Sequence, residues 1–169
     1  MTAKDIQTAI LSHYFQHDHI YACTNFEGCG YAEMDVISIS RALLVYEFEV
    51  KISKADFQAD FAKHFKHINL QHAIKKATLP NRFYYCCPRD MVRPDQVPAY
   101  AGLMHFGYVA GEIEFAIIKK APLLHNERAT AQLINRICQT LSTRLALNCS
   151  LMTYRRNKRK LKALAAQHD

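Results

Sequence analysis

The sequence predicts one α/β domain, and three observations carry that reading. Short β-branched and aromatic runs such as "MDVISIS" and "VYEFEV" alternate with stretches of helical periodicity. The turn signals between neighbouring runs lie close together, as in a meander or hairpin. Half of the 169 residues are apolar, enough for one core between layers of helix and sheet.

The elements follow in chain order. Residues 3–16 place Ile6, Ala9, Ile10 and the Tyr14, Phe15 end on one helical face. "HIYACTN" reads as a strand, and the two glycines of "FEGCGY" mark the turn after it. "MDVISIS" and "ALLVYEFEVK" are successive strands joined by a tight turn near Arg41 and Ala42. Ser53 is a good helix N-cap, and Phe57, Phe61, Phe65 and Ile68 behind it make one apolar stripe of a single helix, with Asp56, Asp60, Lys63 and Lys66 on the solvated side. "RFYYCC" is a strand ended by Pro88, and "RPDQVPAY" a proline-rich loop. "GLMHFGYV" and "EIEFAIIKK" form a hairpin, and a helix follows from Glu127 to about Tyr154. One domain over residues 1–150 with a basic tail at 151–169 is the expected organisation.

No run approaches the roughly 18 to 20 apolar residues of a membrane span. The N-terminal "MTAKDIQTAILSHYF" lacks the pattern of a secretory leader, so a soluble, cytoplasmic protein without a membrane partner is expected. The six cysteines, Cys23, Cys29, Cys86, Cys87, Cys138 and Cys149, contain no CxxC and read as reduced apolar fillers. A zinc role for Cys23 and Cys29 is the weaker alternative. The net charge of +7 is unevenly spread: "RRNKRKLK", residues 155–162, holds six cations, and the rest balances 16 basic groups against 15 acidic ones.

The chemistry is concentrated in "VYEFEVKIS". Alternation along a strand puts Glu47, Glu49 and Lys51 on one face and Tyr46, Phe48 and Val50 on the other. Counting outward from the turn sets Asp35 opposite roughly residue 48, within reach of Glu49 and Lys51. Converged carboxylates repel unless a cation sits between them, and oxygen ligands select a hard ion such as Mg²⁺. Such an ion activates water and neutralises charge at phosphorus, with Lys51 as a point charge beside it. The competing reading is a solvated set of same-face Glu and Lys pairs.

This arrangement resembles the PD-(D/E)XK nuclease superfamily, the restriction-endonuclease-like fold, through Asp35 of "EMDVISIS" and the "EVK" of Glu49 to Lys51. More narrowly, "AEMDVISISRALLVYEFEVKISKADFQADFAKHFKH" with "PNRFYYCCP", "VPAYAGLMHF" and "KKAPLLH" is similar to small phage and bacterial nuclease-like proteins over roughly residues 1–125. The resemblance implies a core of helix, three-strand meander, helix and strand, here extended by a β-hairpin and a long C-terminal helix. It implies Mg²⁺ or Mn²⁺ on Asp35, Glu49 and the main-chain carbonyl of Val50, with Asp35, Glu49 and Lys51 catalytic. Asp5, Glu33 and Glu47 are auxiliary acids; Asp5 stands where the superfamily usually has a first-helix glutamate, and Met34 replaces the motif proline.

Nucleic acid, DNA before RNA, is the expected partner. Lys54 beside the site and Arg155, Arg156, Lys158, Arg159 and Lys160 of the tail are its candidate phosphate contacts. Lys63, His64, Lys66 and His67 could also reach a nucleic-acid backbone, and Tyr84 or Tyr85 could face the site. Two alternatives stay open: a non-catalytic module that binds nucleic acid or a host protein while retaining the fold, and assembly as a homodimer or with a protein partner.

Overall fold

A computed structural model describes residues 2–15, 17–28, 32–74 and 76–165, except for the side chains of 15, 77 and 160–165. The elements are α1 (Ala3–Phe15), β1 (His19–Phe26), β2 (Met34–Ser40), β3 (Val45–Val50), α2 (Lys54–Asp60), α3 (His64–His72), β4 (Arg82–Pro88), β5 (Ala101–Val109), β6 (Glu112–Lys119) and α4 (Ala131–Ala165). The chain divides into two compact units, residues 1–137 and 138–169.

The first unit is built on one mixed sheet in the order β1-β2-β3-β4-β5-β6. β1, β2 and β3 form an antiparallel meander, β3, β4 and β5 run parallel, and β6 returns antiparallel beside β5. A parallel neighbour needs a crossover, and α2 and α3 supply it between β3 and β4. The β2–β3 turn holds Leu43 at φ 61° and sets Val36 opposite Phe48. The β5–β6 turn has positive φ at both Ala110 (51°) and Gly111 (91°), the primed geometry that suits a two-residue hairpin.

Strand alternation divides the core into two layers. On one face Val36, Phe48, Val50, Tyr84, Cys86, Met104 and Phe106 pack with Ile6 and Ile10 of α1. On the other, Ile37, Val45, Phe83, Tyr85, Cys87 and Leu103 pack with Phe57, Leu70, and Leu133 and Ile137 from the start of α4. Fully buried Asn81 ties the strand ends together: its Oδ1 accepts from the Val45 N–H at 2.7 Å, and its Nδ2 donates to the carbonyls of His125 and Glu127, each at 2.8 Å.

Three expectations are corrected. The helix after Ser53 is two helices, because Lys63 leaves helical geometry (φ −78°, ψ 59°). Phe57 and half-buried Phe61 face the core, while Phe65 is 60% and Ile68 50% exposed. Among the cysteines, Cys23, Cys86 and Cys87 are buried as fillers, but Cys138 and Cys149 are exposed; Cys29 lies outside the described residues. The C-terminal helix runs on to Ala165, so the backbone of the basic stretch 155–162 is helical.

Candidate active site

The strand that carries the E-x-K sequence lies inside the sheet, and its polar face is roofed by α2 and α3. Glu47 is 0%, Glu49 3% and Lys51 4% exposed, so these charges are buried rather than solvated. Asp60 at 1% and Lys66 at 2% join them from the helices, which overturns their expected place on a solvated face. Ser53 closes the start of α2 by accepting from the Asp56 N–H at 3.1 Å, so Asp60 follows at a fixed offset from Lys51.

Glu49 is the centre of the network. Lys51 Nζ donates to its Oε1 at 2.9 Å and Lys63 Nζ to the same oxygen at 3.2 Å, while Lys66 Nζ donates to Oε2 at 2.6 Å. Asp60 Oδ1 takes the other side of Lys51 at 3.0 Å and of Lys63 at 2.9 Å, and its Oδ2 accepts from the Tyr85 hydroxyl at 2.9 Å. His67 Nε2 lies 2.8 Å from the Asp60 carbonyl, and its Nδ1 lies 2.6 Å from the Tyr100 hydroxyl. Asp35 is the second residue of β2, one step outside the Val36–Phe48 pair, which sets it beside Glu49 on the next strand. Its Oδ2 accepts from the Val50 N–H at 2.8 Å.

The charges do not balance. Asp35, Glu47, Glu49 and Asp60, with exposed Asp56 3.7 Å from Lys51, are five carboxylates against the three ammonium groups of Lys51, Lys63 and Lys66. Burial raises Asp35 to about 6, with the Glu49 carboxylate adding to the rise. Burial raises Glu47 to about 7, more than neighbouring Lys66 can offset. Burial also works against the charged forms of Glu49 and Asp60, but the lysines win and hold both below the usual range. Lys51 and Lys66 likewise lie above the ordinary lysine value despite burial, because the carboxylates outweigh it. The excess negative charge therefore rests on Asp35 and Glu47.

Glu47 shows the same excess in its contacts. Lys66 Nζ approaches its Oε1 to 2.8 Å, but off hydrogen-bond geometry, and neither Glu47 oxygen has a hydrogen-bond partner among the described residues. Oxygen-only donors with an excess of negative charge fit a hard divalent cation in donor chemistry. Among the described residues no group of three His, Cys, Asp or Glu side chains is arranged to hold a metal. A cation here would rest on the two carboxylates Asp35 and Glu49, the main-chain carbonyl of Val50 and water.

The strand residues expected in the site thus converge. Glu47, expected as an auxiliary acid, is fully buried in the network. Asp5 is not part of it: Thr2 N–H donates to Asp5 Oδ2 at 2.7 Å and Asp5 N–H donates back to Thr2 Oγ1 at 3.3 Å, a capping box that starts α1. Glu33 and Lys54 are exposed, as are Arg155, Arg156, Lys158 and Arg159; the side chain of Lys160 lies outside the description. Of the two tyrosines, Tyr85 faces the charges, and Tyr84 stacks on Phe48 in the opposite layer.

The reading of the sequence missed Asp60 as a site residue and the inward role of Lys66, and left Tyr84 and Tyr85 as alternatives. A usable signal existed: Asp60, Lys63 and Lys66 recur every three residues just after two strand acids that need counter-charges.

Comparison with known proteins gives a fold and no activity. No protein-family model and no curated protein matches the chain. Among solved structures it is similar to the SPO1766 protein of unknown function from Silicibacter pomeroyi, with a TM-score of 0.58 and 23% identity over 81% of this chain and 84% of that one.

Proposed function

We propose that the chain is a metal-dependent phosphodiesterase acting on nucleic acid, DNA foremost, built on a PD-(D/E)XK core. The observation that carries this is the placing of Asp35 beside Glu49 on adjacent strands with Lys51 hydrogen-bonded to Glu49, in one buried and incompletely neutralised cluster. The element order supports the same reading, since a helix, a three-strand meander, a helical crossover and a parallel strand follow in sequence.

Asp35, Glu49 and the Val50 carbonyl would hold Mg²⁺ or Mn²⁺, which when bound makes a coordinated water more acidic and offsets charge developing on phosphate. Lys51 remains an ammonium at neutral pH, so it serves as a fixed positive charge and not as a base. Asp60 holds Lys51 in place from α2, and the Tyr85 hydroxyl of β4 holds Asp60. Exposed Lys54 would contact phosphate beside the site, and the exposed cations of α4 are separate candidates for phosphate contact.

The test is a cleavage assay on single-stranded, double-stranded and branched DNA and on RNA, with Mg²⁺ or Mn²⁺. Wild type cleaves at least one substrate, whereas Asp35→Asn, Glu49→Gln and Lys51→Met lose at least about a hundredfold with native circular dichroism. Equal cleavage by wild type and Asp35→Asn overturns the proposal.

One observation favours a second reading, a binding module without catalysis: three ammonium groups already occupy both oxygens of Glu49. Calorimetric titration with Mg²⁺ separates the two, because only the metal enzyme gives heat that Asp35→Asn removes.

A further inference from the structure

Of the three lysines around Glu49, only Lys63 reaches solvent: its side chain is 54% exposed, against 5% for Lys51 and 2% for Lys66. A cleft of about 450 Å³ lies there, along the start of α3. Lys63 and Lys66 border it, and both donate to Glu49, at 3.2 and 2.6 Å. Ala32 and Ala62 add little bulk to the rest of its lining, and Phe65 supplies an aromatic wall. The cleft is continuous with the candidate active site, since the same two lysines belong to both.

Phe65 is the unusual member of this lining. Phe57 and Phe61 before it are used in the core, where their rings meet at 5.3 Å and both reach Tyr85. The break at Lys63 turns Phe65 outward, and its ring meets no other aromatic ring among the described residues. Ile68, one turn further along α3, extends the same exposed apolar surface. Charge decides what fits. The lysines at the cleft are already matched by Glu47, Glu49 and Asp60, and the cluster behind them carries excess negative charge, so a free anion or an acidic peptide is disfavoured. A flat, uncharged ring with polar edges is suited: its face covers Phe65 while Lys63 and His64 meet its edge. A nucleobase is such a ring. In a duplex each base is already stacked on its neighbours, so only an unpaired one turns a face to Phe65.

We propose that this cleft takes one unpaired base of a single-stranded nucleic acid, stacked on Phe65 beside the phosphate that the metal site would engage. Phe65 is then a specificity-determining residue, and single strands, loops and frayed ends are bound ahead of intact duplex. The inference rests on reading the cluster as a nucleic-acid site, and it names the form of the substrate.

Binding by the full chain, measured apart from cleavage in chelated buffer, tests it. The probes are a short single-stranded oligodeoxynucleotide and its duplex, followed by fluorescence anisotropy. Wild type binds the single strand more tightly. Phe65→Ala raises Kd for the single strand about tenfold or more and leaves that for the duplex within about twofold, with native circular dichroism. The chain contains no tryptophan, so Phe65→Trp keeps the stacking face and carries the sole indole. It binds the single strand as wild type does, and its emission is quenched by the single strand and not by the duplex. Such quenching without any cleavage by wild type in Mg²⁺ supports the base site while overturning the catalytic reading. Intact cleavage with an unquenched indole, and with Phe65→Ala equal to wild type in single-strand affinity, overturns the base site alone. A loss in Phe65→Ala that falls equally on the duplex, or sedimentation showing that Phe65 is covered by a second copy, also overturns it.

Discussion

Glu47 has no exposed surface and neither of its oxygens is in hydrogen-bond geometry, so its charge has to be removed or matched. The match is Lys66, itself buried between Glu47 and Glu49 and lying 4.9 Å from the centre of the Phe83 ring. Removing one partner of a buried ion pair leaves the other uncompensated, which typically costs about 3 to 5 kcal/mol. Lys66→Met is therefore expected to destabilise by that order in urea unfolding, and Glu47→Gln/Lys66→Met to recover part of the loss. Additive effects of the two substitutions would show that the pair is not coupled.

The pH dependence follows from the same residue. Burial lifts Glu47 to about 7 in the folded chain, so between its ordinary value and 7 the native state holds a proton that the unfolded state has released. Stability must fall as pH rises through that window, then level off. In chelated buffer Glu47→Gln should flatten this limb, by up to about 3 kcal/mol. Glu49 and Asp60 work in the opposite sense: their lowered values give stability that is lost only in strong acid. Asp35, at about 6, adds a linkage of its own, for a metal ion must displace its proton. Calorimetry in buffers of different ionisation enthalpy should find proton release on Mg²⁺ binding near pH 6 that fades by pH 8 and is absent in Asp35→Asn.

At the scale of elements, the strands were legible because alternation is a local signal. "MDVISIS" is β2 residue for residue, and the register estimate that set Asp35 opposite about residue 48 is one residue from the observed Val36–Phe48 pairing. The acids of β3, and Lys51 just past its end, were legible for the same reason. The helices were less so. A stripe of Phe57, Phe61, Phe65 and Ile68 reads as one face only if the helix is continuous, and the break at Lys63 depends on nothing that periodicity records. That break turns Lys66 inward and leaves Phe65 outside, so the buried half of the site was hidden with it.

Asn81 carries no signal in the sequence, because its role is set by partners 36 to 46 residues away. Asn81→Ala would orphan the Val45 N–H and two carbonyls at once. A loss of about 3 kcal/mol or more is expected in chemical denaturation. It should be accompanied by faster hydrogen exchange at the start of β3 and in residues 124–129.

At the scale of the whole chain, charge is partitioned by position. Residues 155–162 hold six of the 22 basic groups and no acid, and the remainder is close to neutral. They lie in the unit 138–169, helical as far as Ala165, where Leu145, Leu147, Leu151, Met152 and Tyr154 are all more than half exposed. A segment of this kind contributes little to a core and can contribute strongly to binding a polyanion. If nucleic acid is the partner, each phosphate it neutralises on a duplex adds about −0.9 to the slope of log affinity against log salt. Residues 1–150 alone should therefore bind more weakly at low salt and with a shallower slope, while divalent-ion binding at Asp35 and Glu49 is unchanged. Fluorescence anisotropy over a salt series measures the slope, and calorimetry the ion. A truncated chain with the full-length slope would place the phosphate contacts among residues 1–150, leaving Lys54 and its neighbours to carry them.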